Sequence, residues 1–221
     1  MKNVLITGST GMVGKSVLLE CLESDKIDGV TTINRVSVGL EHPKMKEVLL
    51  NDFSLIETIR PNLDNFVACF HCMGVSALGM SEEKYTHITY TLTPKLTDLM
   101  FELNPDMVFN YVSGIGTDSS EKGSSMWARV KGKTENYILS KGFGDSYMIR
   151  LGAILPEKGI KSKTGWYNAL YIVMRPSYPL IKKSNNVITT TAFGQAMINT
   201  MFFPQKKKYL ENKDLNRLEE K

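Results

Sequence analysis

The sequence predicts an α/β fold in which helices cover both faces of a doubly wound parallel sheet. Two patterns predict it. Apolar runs of strand length alternate with helix-like runs, and the first strand ends in a glycine cluster just before a helix. The chain has 221 residues, of which 42% are hydrophobic and 23% charged. That composition is typical of a globular protein, and the length suits one domain with a full core.

The predicted elements follow in chain order. Strands are expected at residues 4–7, 30–36, 47–50, 66–72, 107–112 and 146–151, and helices from residue 15 onward and at 55–59, 82–103, 125–140 and 192–203. The short helix at 55–59 should stop before Pro61. The long helix at 82–103 should be kinked or broken by Pro94, because proline lacks the N–H that a helix interior requires. Gly142 is expected to close the helix that precedes it.

Three glycines, Gly8, Gly11 and Gly14, are spaced three residues apart between the first strand and the first helix. Gly8 permits a tight turn with positive φ, Gly11 lets the backbone approach a pyrophosphate, and Gly14 lets the helix pack closely on the strand. The N-terminus of that helix would present unpaired N–H groups to the phosphates. This context favours a dinucleotide-binding turn over an ordinary glycine-rich turn.

The spacing Gly-x-x-Gly-x-x-Gly, preceded by Thr7, resembles the extended and atypical branches of the short-chain dehydrogenase/reductase superfamily, the NAD-dependent epimerase/dehydratase type. The resemblance implies a Rossmann-type sheet with a small C-terminal substrate-side lobe. It also implies a cofactor site at the glycine turn and the ends of the following strands. The cofactor-binding residues expected on this basis are Thr7, Gly8, Ser9, Thr10, Gly11, Met12, Val13, Gly14, Asn34, Arg35, Asp52, Phe53, Cys72, Met73, Gly74 and Lys131.

The type of cofactor depends on the end of the second strand. An acidic side chain there binds the ribose 2′-hydroxyl of NAD, whereas an arginine accommodates the 2′-phosphate of NADP. Asn34 and Arg35 occupy this position without a carboxylate, and a guanidinium can donate two hydrogen bonds to a phosphate. NADP is therefore favoured over NAD, the alternative being that Arg35 is only a solvated charge. Asp52, after the third strand, matches the position where the superfamily commonly has an aspartate near the adenine amino group.

The superfamily's usual active site combines a serine with a Tyr-x-x-x-Lys motif on the following helix. Ser113 follows the fifth strand, and Lys131 opens a Lys-x-x-x-Glu sequence like that of the family. Four positions before Lys131 stands Trp127, whose indole N–H does not titrate usefully and cannot act as an acid or base. A second frame, Tyr137 with Lys141, lies toward the far end of the helix and fits the family less well. The expected catalytic set is therefore Ser113, Lys131 and Trp127, with Trp127 at the position of the family tyrosine.

The leading functional hypothesis is an NAD(P)-dependent oxidoreductase or epimerase-like enzyme acting on a small carbonyl or hydroxyl substrate. On the family pattern, Ser113 polarises the carbonyl and Lys131 holds the nicotinamide ribose, while another group moves the proton. Candidates for that group are Ser113, Ser125, Tyr85, His71 and His87, and Thr89 stands where the family's relay asparagine is expected. The alternative hypothesis is a non-catalytic NADP-binding regulator or redox sensor with a protein partner.

Cys69 and Cys72 superficially resemble a redox pair or half of a metal site. Residues three apart on a strand point to opposite faces, so the two thiols should not converge. No second Cys/His pair has zinc-finger spacing. The sequence therefore predicts a core strand here and no metal site.

Residues 1–204 are expected to form the nucleotide-binding domain, with a lid or lobe at 152–186, where prolines interrupt the alternation. Residues 205–221 are expected to be a charged C-terminal tail. An aromatic run at 166–173, followed by Arg175, is compatible with core, the wall of a substrate pocket, a dimer face or a membrane-surface contact.

The formal net charge of +4 does not indicate nucleic-acid binding, since six basic residues of the last segment are offset by four acidic ones. No stretch has the length of a membrane helix, and no signal-peptide pattern is present. We therefore expect a cytoplasmic protein, monomeric or homodimeric. Its expected partners are a dinucleotide and a small-molecule substrate, without nucleic acid or integral membrane contact.

Overall fold

The computed structural model describes residues 1–63, 65–160 and 184–221. Within these residues the strands are β1 (Asn3–Thr7), β2 (Gly29–Asn34), β3 (Met45–Leu49), β4 (Phe66–His71), β5 (Val108–Val112), β6 (Asp145–Arg150), β7 (Ala153–Leu155), β8 (Val187–Thr189) and β9 (Tyr209–Glu211). Seven of them form one parallel sheet in the order β3-β2-β1-β4-β5-β6-β9. The strands β7 and β8 form a separate parallel pair. The predicted doubly wound parallel sheet is confirmed.

Helices cover both faces of this sheet. They are α1 (Met12–Glu23), α2 (Glu82–Thr86), α3 (Leu92–Leu103), α4 (Met126–Lys141), α5 (Thr190–Asn199) and α6 (Asn212–Glu219), with a 3₁₀ helix at Phe53–Asn62. Alternate residues of β1 enter different cores: Val4 and Ile6 pack with α1 and α5, and Leu5 packs with α3. Since β1 is buried on both faces, its sequence is an almost continuous apolar run.

The region predicted as one long helix is interrupted as expected. A π-helical turn, His87–Thr91, separates α2 from α3. Pro94 lies one turn later, where it has no N–H to donate to the carbonyl of Tyr90 and its ring crowds that carbonyl. The break therefore falls on the turn before the proline. Gly142 also ends α4 as predicted, in the left-handed conformation.

The prediction that the short helix stops before Pro61 is wrong. The helical segment there is 3₁₀, kinked at Leu55, and it continues through Pro61. A proline's fixed φ of about −65° lies within the 3₁₀ range, so the ring is compatible with this geometry.

Residues 205–221 do not form a separate tail, because β9 pairs with β6 and α6 packs on α5. Leu210, Leu215 and Leu218 are buried in the core that lies beneath α1. Lys207 pairs with Asp214, and Lys208 pairs with the carboxylate of residue 145. Lys213 also pairs with Glu211, so part of the charge that suggested a tail is paired within the fold.

The predicted lobe at 152–186 falls largely on residues 161–183, which lie outside the described residues, as does the aromatic run at 166–175. Its described ends are held together by Asn212. The Asn212 amide donates to the carbonyls of Ala153 and Asn186, both at 2.8 Å, and accepts from the Gly152 N–H at 2.9 Å. The lobe and the domain limits remain predictions. Among the helices of the described residues, none is both long enough and apolar enough to cross a membrane.

Candidate functional site

A cleft of about 390 Å³ opens at the carboxyl ends of β1 to β4. The cleft lies where the strand order reverses between β1 and β4, the position at which open α/β sheets bind ligands. Its lining residues are Gly8, Thr10, Gly11, Ile33, Asn34, Arg35, Asn51, Asp52, Phe53, Cys72, Met73, Gly74, Val75, His87, Ile88 and Leu92. Most of the expected cofactor residues are among them, while Thr7, Ser9, Met12, Val13, Gly14 and Lys131 are not.

The three glycines have different surroundings. Gly8 has a φ of +73°, and a methyl group on it would lie 2.7 Å from the carbonyl oxygen of Cys72. A methyl group on Gly14 would overlap the carbonyl of Gly8. On Gly11, by contrast, the nearest neighbour would be the Gly8 oxygen at 3.4 Å. The fold itself requires Gly8 and Gly14, whereas Gly11 leaves open space beside the cleft.

The N-terminus of α1 is suited to an anionic group. Gly11 is its N-cap residue, and no side chain caps the helix there. The N–H groups of Met12, Val13 and Gly14 belong to the first turn, which has no intrahelical acceptors, and the helix dipole adds positive potential. This end of the helix and the open face of Gly11 therefore fit a pyrophosphate.

The side chains of Ser9 and Asn34 hold the glycine turn against the end of β2. Both are buried, and the Asn34 amide donates to Ser9 Oγ at 2.8 Å. The two side chains are thus engaged with each other at the edge of the cleft, which Asn34 also lines. No local sequence pattern indicates this hydrogen bond, because it joins residues 25 positions apart.

A buried histidine links the end of β1 to α3. The Thr93 hydroxyl donates to the carbonyl of Thr89 at 2.8 Å, so it accepts from His71 Nε2 at 3.1 Å. His71 Nδ1 then accepts from the Thr7 hydroxyl at 2.6 Å. Burial lowers the pKa of His71 to about 3, so the ring is neutral. Thr7 and His71 are thus internal supports, and His71 is excluded as a proton donor at neutral pH.

Arg35 and Asp52 line the cleft just beyond the ends of β2 and β3. Arg35 is exposed, and none of the ion pairs within the described ranges includes it. Asp52 caps the 3₁₀ helix by accepting from the Ser54 N–H at 2.8 Å, and this hydrogen bond lowers the pKa of Asp52. The aspartate is therefore ionised at neutral pH, and the arginine is free to meet a phosphate.

Ser113 lies after β5 as expected, but its hydroxyl points into the protein. Ser113 Oγ donates to Glu135 Oε1 at 2.6 Å, and the other oxygen of this fully buried carboxylate is 2.6 Å from Arg150. A hydroxyl that donates its proton to Glu135 cannot donate it to a substrate carbonyl. The structure does not support the expected polarising role of Ser113.

Lys131 and Trp127 meet at the turn that follows β5. Lys131 Nζ donates to the Ser113 carbonyl at 2.5 Å. A methyl group on Gly114 would lie 3.9 Å from both Lys131 Nζ and Trp127 Cζ3, and one on Gly116 would lie 3.5 Å from Trp127 Cη2. Burial lowers the pKa of Lys131 to about 8, although the Glu135 carboxylate opposes this shift. The indole and the ammonium thus lie on the same glycine turn.

The other candidate for the Tyr-x-x-x-Lys motif, Tyr137 with Lys141, lies elsewhere on α4. Tyr137 Oη donates to Asp98 at 2.6 Å, and Lys141 Nζ lies 2.6 Å from the same carboxylate. These groups form an ion-pair cluster with α3 near the C-terminus of α4, away from Ser113. Cys69 and Cys72 pack into the two different cores on either side of the sheet, as their spacing predicts.

No family model matches the chain. The mitochondrial protein FMP52 of Debaryomyces hansenii is 28% identical over 157 residues, which span 71% of this chain and 68% of that protein. Protein HTATIP2 of Rattus norvegicus is 24% identical over 216 residues, which span 96% of this chain and 87% of that protein.

Two solved structures share the fold. The enzyme WbmH of Bordetella bronchiseptica, in complex with NAD⁺, superposes with a TM-score of 0.67 at 16% identity, over 91% of this chain and 72% of its own. The UDP-N-acetylglucosamine 4-epimerase of Methanobrevibacter ruminantium superposes with a TM-score of 0.69 at 17% identity, over 99% of this chain and 80% of its own.

The relatives correct the expected compartment. FMP52 proteins of Debaryomyces hansenii and Candida albicans are mitochondrial, which contradicts the prediction of a cytoplasmic protein. That prediction used the lack of a leader pattern, and such a lack does not identify a compartment.

The sheet order, the glycine turn and these superpositions agree with the resemblance seen in the sequence: the chain has a Rossmann-type fold, which it shares with WbmH and with the UDP-N-acetylglucosamine 4-epimerase.

Proposed function

We propose that the chain is an NADP(H)-dependent oxidoreductase or epimerase-like enzyme that acts on a small carbonyl or hydroxyl substrate. The observation that carries this proposal is the cleft at the β1/β4 switch point, which joins the open face of Gly11 to the exposed Arg35. The NAD⁺ complex of WbmH, which has the same fold, supports a dinucleotide in this position.

The residues around the cleft fit the parts of a dinucleotide. Gly11 and the first turn of α1 would hold the pyrophosphate, and Arg35 would hold the 2′-phosphate. Asp52 and Phe53 would contact the adenine, and Lys131 would contact the nicotinamide ribose. When bound, the reduced cofactor would supply a hydride to the carbonyl carbon of the substrate.

The alternative, a regulator that binds NADP without turnover, is favoured by two observations. Ser113 donates its proton to Glu135, and the ring of Trp127 lies on the turn between Gly114 and Gly116. Neither group then serves as a proton donor for a substrate.

Titration of the purified protein with NADPH and NADH, followed by a panel of small aldehydes and ketones, separates these functions. The proposal expects NADPH to bind more tightly than NADH and to be oxidised slowly with some members of the panel. Tight NADPH binding without any oxidation would favour the regulator. Failure to bind either dinucleotide would exclude both.

A further inference from the structure

A reductase with this site needs a proton donor. Of the candidates drawn from the sequence, Ser113 is engaged by Glu135, and His71 is held neutral between two threonines. Tyr85 is 1% exposed, and burial raises the pKa of its hydroxyl. These three candidates are therefore unsuitable. The other two lie elsewhere: His87 is on the Asp52 side of the cleft, where it acts electrostatically on that carboxyl, and Ser125 is an exposed residue at the N-terminus of α4.

We propose that Lys131 is itself the proton donor, with Trp127 as the apolar wall that keeps its ammonium out of water. This inference rests on the proposed function. The geometry supports it, because Lys131 Nζ lies on the turn after β5, at the same carboxyl edge of the sheet as the end of β4, which lines the cleft. An ammonium carries three N–H donors, and the Ser113 carbonyl accepts one of them at 2.5 Å.

Trp127 contributes by position rather than by chemistry. Its ring and Lys131 Nζ would both lie 3.9 Å from a methyl group on Gly114. Both groups therefore lie beside Gly114, where the indole ring shields part of the space around the ammonium from water. Exclusion of water disfavours the charged form and so makes the proton easier to release. Trp127, which stands in place of the family's tyrosine, would therefore help to lower the pKa of Lys131.

The charged and titratable groups around α4 do not cancel the lowering of the Lys131 pKa. On α4 and the elements packed against it, these groups include the pairs Glu82–Arg129, Asp98–Lys141 and Glu135–Arg150. The others on these elements are Glu83, Lys84, Tyr85, His87, Tyr90, Lys95, Glu102, Lys133, Tyr137, Asp145 and Tyr147, and Tyr111 lies on the neighbouring strand β5. Only the carboxylate of Glu135 opposes the lowered pKa of Lys131. That charge is already bound by Arg150 and by the Ser113 hydroxyl.

The proton transfer balances. As hydride addition places negative charge on the carbonyl oxygen, one N–H bond of Lys131 breaks and an O–H bond forms on that oxygen. The product is the alcohol, and the lysine is left as a neutral amine. The amine then takes a proton from water to restore the ammonium. A donor with a pKa near the working pH performs both steps efficiently.

The first test measures the pKa of Lys131 without turnover. Protein carrying ¹³Cε-labelled lysine is titrated by NMR, and Lys131→Arg assigns the signal by its loss. Lys131 is expected to titrate near 8, well below the other lysines. Trp127→Ala should move that pKa upward because water enters, whereas Trp127→Phe should keep it low. A value near 10.5 in the wild type would overturn the proposal.

The second test uses activity with the holoenzyme. Lys131→Arg keeps the positive charge but holds its protons too tightly to donate them. We expect kcat for NADPH oxidation to fall by about 10²-fold or more, with the Kd for NADPH changed only a few-fold. Lys133→Arg, on an outward turn of the same helix with its ammonium over the Tyr90 ring, is the matched control and should keep the wild-type rate.

The outcomes separate this inference from the proposed function. A kcat of Lys131→Arg within a few-fold of the wild type would overturn the role of Lys131 and leave the oxidoreductase standing. Binding of NADPH without any oxidation would overturn the proton-donor role and favour the regulator. If the wild type binds no dinucleotide, the proposed function itself fails, whatever pKa is measured for Lys131.

Discussion

Ser113 Oγ donates a hydrogen bond of 2.6 Å to the carboxylate of Glu135, which is fully buried and also bound by Arg150. This contact joins the end of β5 to the middle of α4 and to β6. It keeps a buried negative charge satisfied, because an unpaired carboxylate in the interior is costly. The serine at the family's catalytic position thus serves the fold in this chain.

Removal of that hydroxyl should reduce stability. Ser113→Ala leaves Glu135 with one donor fewer, and an unsatisfied buried group costs about 1–3 kcal/mol. Urea unfolding should show a loss of this size. Ser140→Ala is the control: it removes an exposed hydroxyl from α4, the helix that carries Glu135. It should change the free energy of unfolding by less than about 0.5 kcal/mol. Equal losses in the two variants would contradict the role given to Ser113.

Gly11→Val should abolish dinucleotide binding while the fold persists. The backbone at Gly11 has a φ of −87°, which any residue adopts, and only the Gly8 oxygen lies close to the new side chain. The valine would occupy the space expected for the pyrophosphate. Fluorescence titration with NADPH measures the loss, and a thermal melt checks the fold. Gly14→Val, whose side chain would collide with the Gly8 backbone, should unfold the protein instead. Unchanged affinity for NADPH in Gly11→Val would contradict the assignment of Gly11 to the pyrophosphate site.

Arg35→Ala should reduce the preference for NADPH over NADH by at least about tenfold. A charged hydrogen bond to the 2′-phosphate contributes about 1.5–3 kcal/mol, and 1.4 kcal/mol corresponds to a factor of ten. The ratio of the two dissociation constants is the measurement. Arg60→Ala removes an arginine that is already paired with Glu57 and Glu102, and it should leave the ratio unchanged. Equal wild-type affinities for the two cofactors would refute the role of Arg35.

Trp127→Tyr should raise the rate of NADPH oxidation with small carbonyl substrates. The phenol would stand one helical turn from Lys131, whose positive charge favours the phenolate. Trp127→Phe, which lacks the hydroxyl, should not show this gain. Since a smaller ring can leave a cavity, unfolding curves must accompany both assays. Brisk wild-type turnover that Trp127→Tyr leaves unchanged would contradict this prediction and would show that Lys131 or another group transfers the proton without a phenol.

Because His71 is buried and neutral, the free energy of unfolding should fall as the pH drops below about 6.5. Its pKa falls from 6.5 to about 3 on folding, so the unfolded chain binds a proton more readily between these values. The contribution of His71 is fully present above pH 6.5 and is lost as the pH falls toward 3, by at most about 1.4 kcal/mol per pH unit. His71→Gln lacks this dependence. The stability gap between wild type and His71→Gln should therefore shrink from pH 7 to pH 4.5, and a constant gap would contradict a neutral His71.

Local sequence determined the elements that depend on spacing and backbone restriction. The alternation of apolar runs predicted the order of strands and helices, and the spacing of Gly8, Gly11 and Gly14 predicted the turn between β1 and α1. Pro94 predicted the break that appears as a π-helical turn. These features arise from neighbours within one or two helical turns, so a pattern along the chain is enough to identify them.

The tertiary structure decided what the side chains do, because their partners lie far away in the sequence. Ser113 meets Glu135 across 22 positions, Asn34 meets Ser9 across 25, and His71 meets Thr7 across 64. Each of these polar groups turned inward because burial without a hydrogen-bond partner is costly, and only the folded chain supplies the partner. For the same reason residues 209–211, which look like part of a charged tail, became the edge strand β9 once β6 offered unpaired backbone groups.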